Sequence, residues 1–467
     1  MNFRSIGSRL CKAALVLAAL MAVSCSDKSG SLLDTVPASA PMVASVDLGT
    51  VMKRAGCRTG NDGIVLTPQV AALLGCDSDA GEPAPPVKAL VGLSGCVDMS
   101  NMVAYGYNAA SGRTAVTFRI DDREGFDKNV AGLGATATSA GGADYYEMDG
   151  WTLAAMGDQG WMAPESVSGM VAVVSEAMAV EAAESVSSLD GITDFLGGNS
   201  AVKVAVKQAE SWLCVSVKLE DPVIGAHLQV MSGDGEVKSV AAGLKHVDTG
   251  CLRYMPDNSV LVAAIGCAPG FDWSPVRAVV GAFLGPEAAL NMQFVEPFLT
   301  KIDGTVAFAA GPAGGAPAIA DINYHTWDFT FMAYMPQTEV DKVLTMVNMY
   351  GGQLGMKSVA VDDNITELRL PDGANIYVGN VDGYMMVSTR RPALSASEGA
   401  MVDMFQSKPG AVVLNVPAGS EIVKAFELPC GFDCSIQLAD DYLHGRLSLN
   451  GSDSSVLEVL LGEMVRD

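Results

Sequence analysis

The chain has 467 residues, 49% hydrophobic and 18% charged, so it is too apolar to be disordered and too long for one ordinary core. Its 29 Lys and Arg stand against 53 Asp and Glu, a formal net charge of −24. That field repels nucleic acid and anionic lipid headgroups, and beyond the N-terminal segment no basic cluster exceeds Arg390-Arg391, which sets the nucleic-acid-binding class aside.

The N-terminus predicts an export signal over residues 1–24. Arg4, Arg9 and Lys12 precede an apolar run from Ala13 to Ser24, and Ala22-Val23-Ser24 presents small residues before Cys25. A membrane-spanning helix needs roughly 20 apolar residues, and this run is shorter. The pattern resembles the lipobox of bacterial lipoproteins, with Ala22 where Leu is usual, and implies that Cys25 is the acylated first residue of the mature chain. Cleavage there removes three cations and no carboxylate, leaving −27. Residues 25–35 then read as a flexible tether reaching at most about 35 Å. The uncharged stretch Gly304–Ala320 is broken by Gly311-Pro312 and Gly314-Gly315-Ala316-Pro317, so it reads as a strand and loop. Acyl chains on Cys25 are thus the expected membrane contact.

From residue 36 the elements run in one order twice. Pro37–Val46 is an apolar strand leading into a helix, and Pro256–Ile265 repeats it without a gap. Thr117-Phe118 followed by Asp127-Lys128, like Thr330-Phe331 followed by Asp341-Lys342, predicts strand, turn and helix. Asp149-Gly150 and Gly160-Trp161-Met162, nine residues apart, match Asp372-Gly373 and Gly383-Tyr384-Met385, and the glycines predict the turns of a three-strand meander. Thr193–Leu196 before a strand from Ala201 pairs with Val402–Phe405 before one from Ala411. Gly225–Val230 pairs with Gly445–Leu449, each followed by a closing helix, Glu236–Leu244 and Ser455–Val465.

The expected fold is therefore α+β in two similar halves, 36–247 and 251–467, each a mainly antiparallel sheet with helices on one face, because short turns between strands imply antiparallel pairing. Between Val46 and Val103 the first half holds about 16 more residues than the second holds between Ile265 and Val306, and Cys57 and Cys76 lie in that excess. The expected staple joins Cys57 to Cys76, or to Cys96, against the alternative of buried thiols. Eight of the ten cysteines remain once Cys11 and Cys25 are accounted for, too many for spacing alone to pair.

The opening Val36–Asp47, soon after a lipidated Cys, resembles the uncharacterised lipoproteins of Bacteroidota that begin this way. The resemblance covers little of the chain and implies no activity. It does imply an O-glycosylation site at Thr35, within Asp34-Thr35-Val36, and Ser26-Asp27-Lys28 partly matches an export signal for the outer face.

Catalytic signatures are missing. There is no Gly-x-Ser-x-Gly, His-Glu-x-x-His, Walker loop or Cys-x-x-Cys. Gly132-Leu133-Gly134 follows a predicted helix and reads as its end. Asp77–Lys88 starts like a calcium loop but has Lys where Glu is needed. His227, His246, His325 and His444 share no metal-ligand spacing, and Cys430 with Cys434 lacks a second pair, so no metal and no cofactor is expected. Asp121-Asp122, Asp362-Asp363 and Asp440-Asp441 read as turns and helix caps. Trp273, Trp327 and Tyr324 stand beside matched strands in segments unlike the first half, and are the candidate binding residues, in a crevice between the halves.

These features predict a non-enzymatic, lipid-anchored protein of the cell envelope, on the outer membrane with either face open, that binds or scaffolds. A periplasm-facing carrier of an apolar ligand and a hydrolase with a site invisible in sequence are the alternatives.

Overall fold

Alternation of apolar and polar residues sets which strand faces are buried, and here many strands are apolar on both. The structure is a computed structural model that describes residues 30–466 except 61–62, 75–84, 109–112, 221, 234–235, 242, 275–298, 315–320, 353–354, 395–397, 426 and 453. The predicted signal peptide, Cys25, Ser26-Asp27-Lys28, Cys76 and Asp77–Glu82 lie outside the described residues. The fold is α+β with antiparallel pairing, 27% helix and 42% strand. No helix of the described residues is long and apolar enough to cross a membrane. The chain divides into two units, Met1–Lys238 with Asp453–Asp467, and Ser239–Ser452.

The first unit contains β1 (Met42–Val46), a small hairpin of β2 (Arg58–Gly60) and β3 (Gly63–Val65), β4 (Val97–Asn108) and β5 (Arg113–Ile120). After these come β6 (Thr136–Ala140), β7 (Ala143–Met148), β8 (Trp151–Met156), β9 (Gln159–Ala163), β10 (Val202–Gln208), β11 (Ser211–Glu220), β12 (Val223–Ser232) and β13 (Val237–Lys238). Their pairings give the order β6-β7-β8-β9-β5-β4-β1-β10-β11-β12-β13.

Helices cover this sheet on both faces, which corrects the one-faced layer expected from the sequence. Val43, Val103, Tyr105, Ala115 and Trp161 pack with Met170, Val173 and Val174 of the helix Val167–Ala179 and with Ile192 and Leu196 of Asp190–Gly197. The opposite face, with Val46, Met102, Phe118 and Met162, packs against Leu48 and Met52, Phe126 and Val130, and Leu457 and Leu461, from three other helices. The reason is visible in strands such as Trp151–Met156, buried at four consecutive positions; antiparallel pairing permits a solvated face, and these side chains leave none.

Two further differences are local. The predicted tether is partly core: Leu32 and Leu33, in the short helix Gly30–Leu33, are buried with Val36, because paired leucines in a polar segment gain more from burial than from solvent. The closing helix expected over Glu236–Leu244 is absent, and β13 and β14 (Leu244–Lys245) stand there, while the helix Val456–Arg466 forms as expected.

The second unit continues with β15 (Leu261–Cys267), β16 (Gly304–Pro312), β17 (Trp327–Tyr334), β18 (Lys357–Ala360), β19 (Ile365–Arg369), β20 (Asn375–Val381), β21 (Tyr384–Ser388), β22 (Gly410–Val416), β23 (Gly431–Leu438) and β24 (Tyr442–Asn450). Their order is β18-β19-β20-β21-β17-β16-β15-β22-β23-β24. One face holds Val262, Ala307, Met332 and Met386 against Cys251, Leu252 and Phe405. The other holds Ala333 and Met385 against Trp273 and Val340, and Ala310 and Val416 against Trp327 and Ile422.

Asp149-Gly150 and Asp382-Gly383 turn the chain between strands with all four residues at positive φ, as two-residue hairpin turns require, and Gly373 turns it at φ 90°. Gly160 does not. It sits inside β9 opposite Phe118, where the absent side chain makes room for the aromatic ring.

Candidate functional site

The three candidate aromatics do not come together. Trp273 and Trp327 are buried, 5% and 7% exposed, in two separate core clusters of the second unit. The Trp273 ring meets Phe271 edge-on at 5.1 Å. Tyr324 alone is exposed, at 44%.

Tyr324 belongs to a built turn. Asn323 donates from Nδ2 to Asp321 Oδ2 at 3.0 Å, the His325 amide donates to Asn323 Oδ1 at 2.8 Å, and the Thr326 hydroxyl donates to the Asp321 carbonyl. This Asx-type arrangement presents Tyr324 and His325 side by side, ring centroids 4.5 Å apart. Both reach Asp372 in the turn before β20: the Tyr324 hydroxyl donates to Oδ2 at 2.5 Å, and His325 Nε2 lies 3.3 Å from the same oxygen. The Tyr324 bond, helped by the Ala374 amide, holds the Asp372 carboxyl below its usual range, while the carboxylate raises the Tyr324 hydroxyl.

The same tyrosine–carboxylate pair recurs. In the first unit Tyr107 donates to Glu165 at 2.7 Å, and Arg113 closes on the same carboxylate. There too Tyr146 donates to Asp127 at 2.6 Å, and Arg123 ties Asp127 to Asp144 with bonds of 3.0 and 2.6 Å. In the second unit Tyr384 donates to Asp248 at 2.5 Å, and Tyr254 and Arg253 both bond Asp382. Burial, then the Asp127 carboxylate, pushes the Tyr146 hydroxyl up to about 12. The hydrogen bonds from Arg113 and Tyr107 hold Glu165 low. A general base or acid works best with a pKa near the operating pH, and the Tyr146 hydroxyl and the Glu165 and Asp372 carboxyls are moved away from it. Their chemistry is that of straps joining distant segments. Sequence spacing gave no sign of them, because the partners stand 19 to 136 residues apart.

The thiols are withdrawn in the same sense. Burial raises Cys214, Cys251 and Cys267 to about 12, and raises Cys96 and Cys434 as well. No described cysteine is in a disulfide; Cys57 and Cys96 are both buried as thiols, and Cys76 lies outside the described residues. The thiolate is the reacting form, so maleimide at pH 8 is expected to leave Cys214, Cys251 and Cys267 unmodified in the folded protein and to modify all three in guanidinium, as read by peptide mass mapping. Rapid labelling of any of them without denaturant would contradict their burial.

Thr35, the candidate glycosylation site, is half-buried. Its hydroxyl donates to the Leu32 carbonyl at 2.9 Å and accepts from Gln159 Nε2 at 3.0 Å. Of the acidic pairs, Asp122 caps the helix Arg123–Gly132 and Asp362 closes a turn onto the amides of Asn364 and Ile365. No group of His, Cys, Asp and Glu among the described residues is placed to hold a metal ion.

The described residues of the first unit include two clefts. One, of about 270 Å³, is open and lined by Asp47, Thr50, Asn199, Ala201, Lys218, Leu219 and Glu220, with Lys218 and Glu220 paired at 2.6 Å. The other, beside Arg54 and Ser455, has about 10 Å³, room for roughly one water. The larger cleft has a mostly polar lining, and the smaller one, though it includes Leu219, Val223, Ile224, Val456 and Leu457, is too small for an organic ligand. Comparison with protein-family models, curated proteins and solved structures finds no match.

Proposed function

We propose that this chain is a lipid-anchored cell-envelope protein that binds or scaffolds without catalysing a reaction. The observation that supports the non-catalytic part is geometric: Tyr107, Tyr146, Tyr324 and Tyr384 each spend their hydroxyl on a carboxylate of a distant segment, so these polar groups are engaged as straps within the fold. The anchor rests on the basic start, the short apolar run and Cys25. Since Leu32 is already core, only six residues lie between it and Cys25, and the folded body sits within about 25 Å of the acylated residue. Replacing Cys25 by Ala is expected to move the protein from the membrane pellet to the soluble fraction. Retention in the bilayer would remove the anchor from the proposal.

The two units are, on this proposal, copies of one ten-strand plan. What supports it is that β6-β7-β8-β9-β5-β4-β1-β10-β11-β12 and β18-β19-β20-β21-β17-β16-β15-β22-β23-β24 run in one order when each strand is replaced by its counterpart. The residue matches are looser than the strand matches. With Val46 set on Ile265, the ladders lead through Met102 and Val306, then Phe118 and Ala333, to Gly160 and Met385, two positions beyond Gly383. A two-residue offset preserves the face each side chain occupies, so the plan tolerates it. A crystal structure with a different strand order in either unit would end this part of the proposal.

A further inference from the structure

β6 ends the sheet of the first unit, and among the described residues its other edge pairs with no strand. All five of its residues pair with β7, and Thr136, Ala137, Thr138 and Ser139 are exposed. Gly141 and Gly142, at φ 60° and 86°, form a two-residue hairpin turn, which makes Ala140 and Ala143 the closing bonded pair. Alternation then directs the amides and carbonyls of Thr136 and Thr138 toward β7 and those of Ala137 and Ser139 outward. Among the described residues no backbone hydrogen bond reaches these outward groups.

Natural edge strands carry a Lys, a Pro or a bulge that discourages pairing. β18, the exposed strand at the end of the second unit's order, begins with Lys357. β6 has none of the three, its ladder is unbroken, and the fourteen residues from Val130 to Ala143 contain no charge in a chain that is 18% charged. We infer that β6 is a self-association edge, where a second copy of this chain adds its own β6 antiparallel across a twofold axis at Thr138.

The register follows from the chemistry. Outward-facing residues must meet outward-facing residues, so Ala137 bonds Ser139 of the second copy, Thr136 stands opposite Ala140, and Thr138 faces its own counterpart. Small uncharged side chains let the backbones approach, and no carboxylate opposes another along the strand. The net charge, −24 for the full sequence and −27 without residues 1–24, still repels the second molecule at a distance, and salt screens that repulsion while leaving backbone bonds intact. Association is therefore expected to strengthen with ionic strength, the reverse of pairing with a basic partner. One five-residue strand pair buries less than the roughly 1,000 Å² of a stable interface, so the dimer is weak.

Analytical ultracentrifugation of the mature chain carrying Cys25→Ser reads this directly. The weight-average mass is expected to rise from monomer toward dimer between micromolar and millimolar protein, more steeply in high salt. Thr138→Glu sets two carboxylates face to face only in the dimer, and is expected to weaken association by about tenfold with unchanged circular dichroism. Thr138→Cys is expected to give a disulfide-linked dimer on mild oxidation, faster than Glu181→Cys, an exposed site away from the edge. Monomeric sedimentation throughout, an unchanged association constant in Thr138→Glu, or equal cross-linking at the two cysteine positions would each overturn the assignment.

Discussion

Trp161→Ala is expected to lower the opening free energy of the backbone amides of β5, β8 and β9 by about 3–5 kcal/mol, read by native-state hydrogen exchange. Trp161 is fully buried in β9, with Thr117 of β5 on one side and Ala154 of β8 on the other. It shares its cluster with Met170, Val173 and Val174 of the covering helix, so truncation leaves a cavity between layers that are fixed by their own strands and turns. Trp161→Phe is a sharper test. The indole Nε1 is buried without a hydrogen-bond partner, so the substitution loses some contact area but also removes an unsatisfied donor, and its cost is expected to stay within about 1.5 kcal/mol. A Trp161→Ala effect as small as that of Trp161→Phe would mean that the side chain is not the keystone of this face.

The elements most legible in the sequence were those set by local chemistry. Strand and turn order could be read because apolar runs alternate with Asp-Gly and Gly-rich turns, and Gly150, Gly373 and Gly383 do adopt the positive φ that glycine favours, although Asp372 does not. The helix Val456–Arg466 and the Asp122 cap followed from the same kind of signal. What could not be read depends on residues far apart in the chain. The second helical layer of the first unit was hidden because a strand buried on both faces is a plain apolar run, which periodicity does not separate from a one-sided strand with apolar neighbours. Leu32 and Leu33 looked like part of a polar tether until Val36 and Trp161 completed the cluster around them. The candidate site is the least legible part: Trp273 and Trp327 stand beside strands in segments without a counterpart in the first half of the sequence, and such residues are as free to fill a core as to bind a ligand.

Gly160→Ala carries the other large expected effect, and it separates two meanings of one residue type. A methyl group at Gly160 would overlap the ring of Phe118, which cannot retreat because it is 2% exposed and packed 6.2 Å from the ring of Phe126. Overpacking of this kind costs about 1–3 kcal/mol, seen as a lower midpoint in guanidinium. Phe118→Leu should take back part of that loss, so the double variant is expected to be more stable than the sum of the two single effects by about 1 kcal/mol or more. Gly383→Ala offers the contrast. Its backbone stands at φ 86° and an added methyl would meet nothing nearer than 3.6 Å, so its cost of about 1–2 kcal/mol comes from the left-handed conformation and no neighbouring truncation relieves it. A Gly160→Ala variant that Phe118→Leu fails to rescue would place the requirement in the backbone of β9 instead, and the two glycines would then be the same kind of position after all.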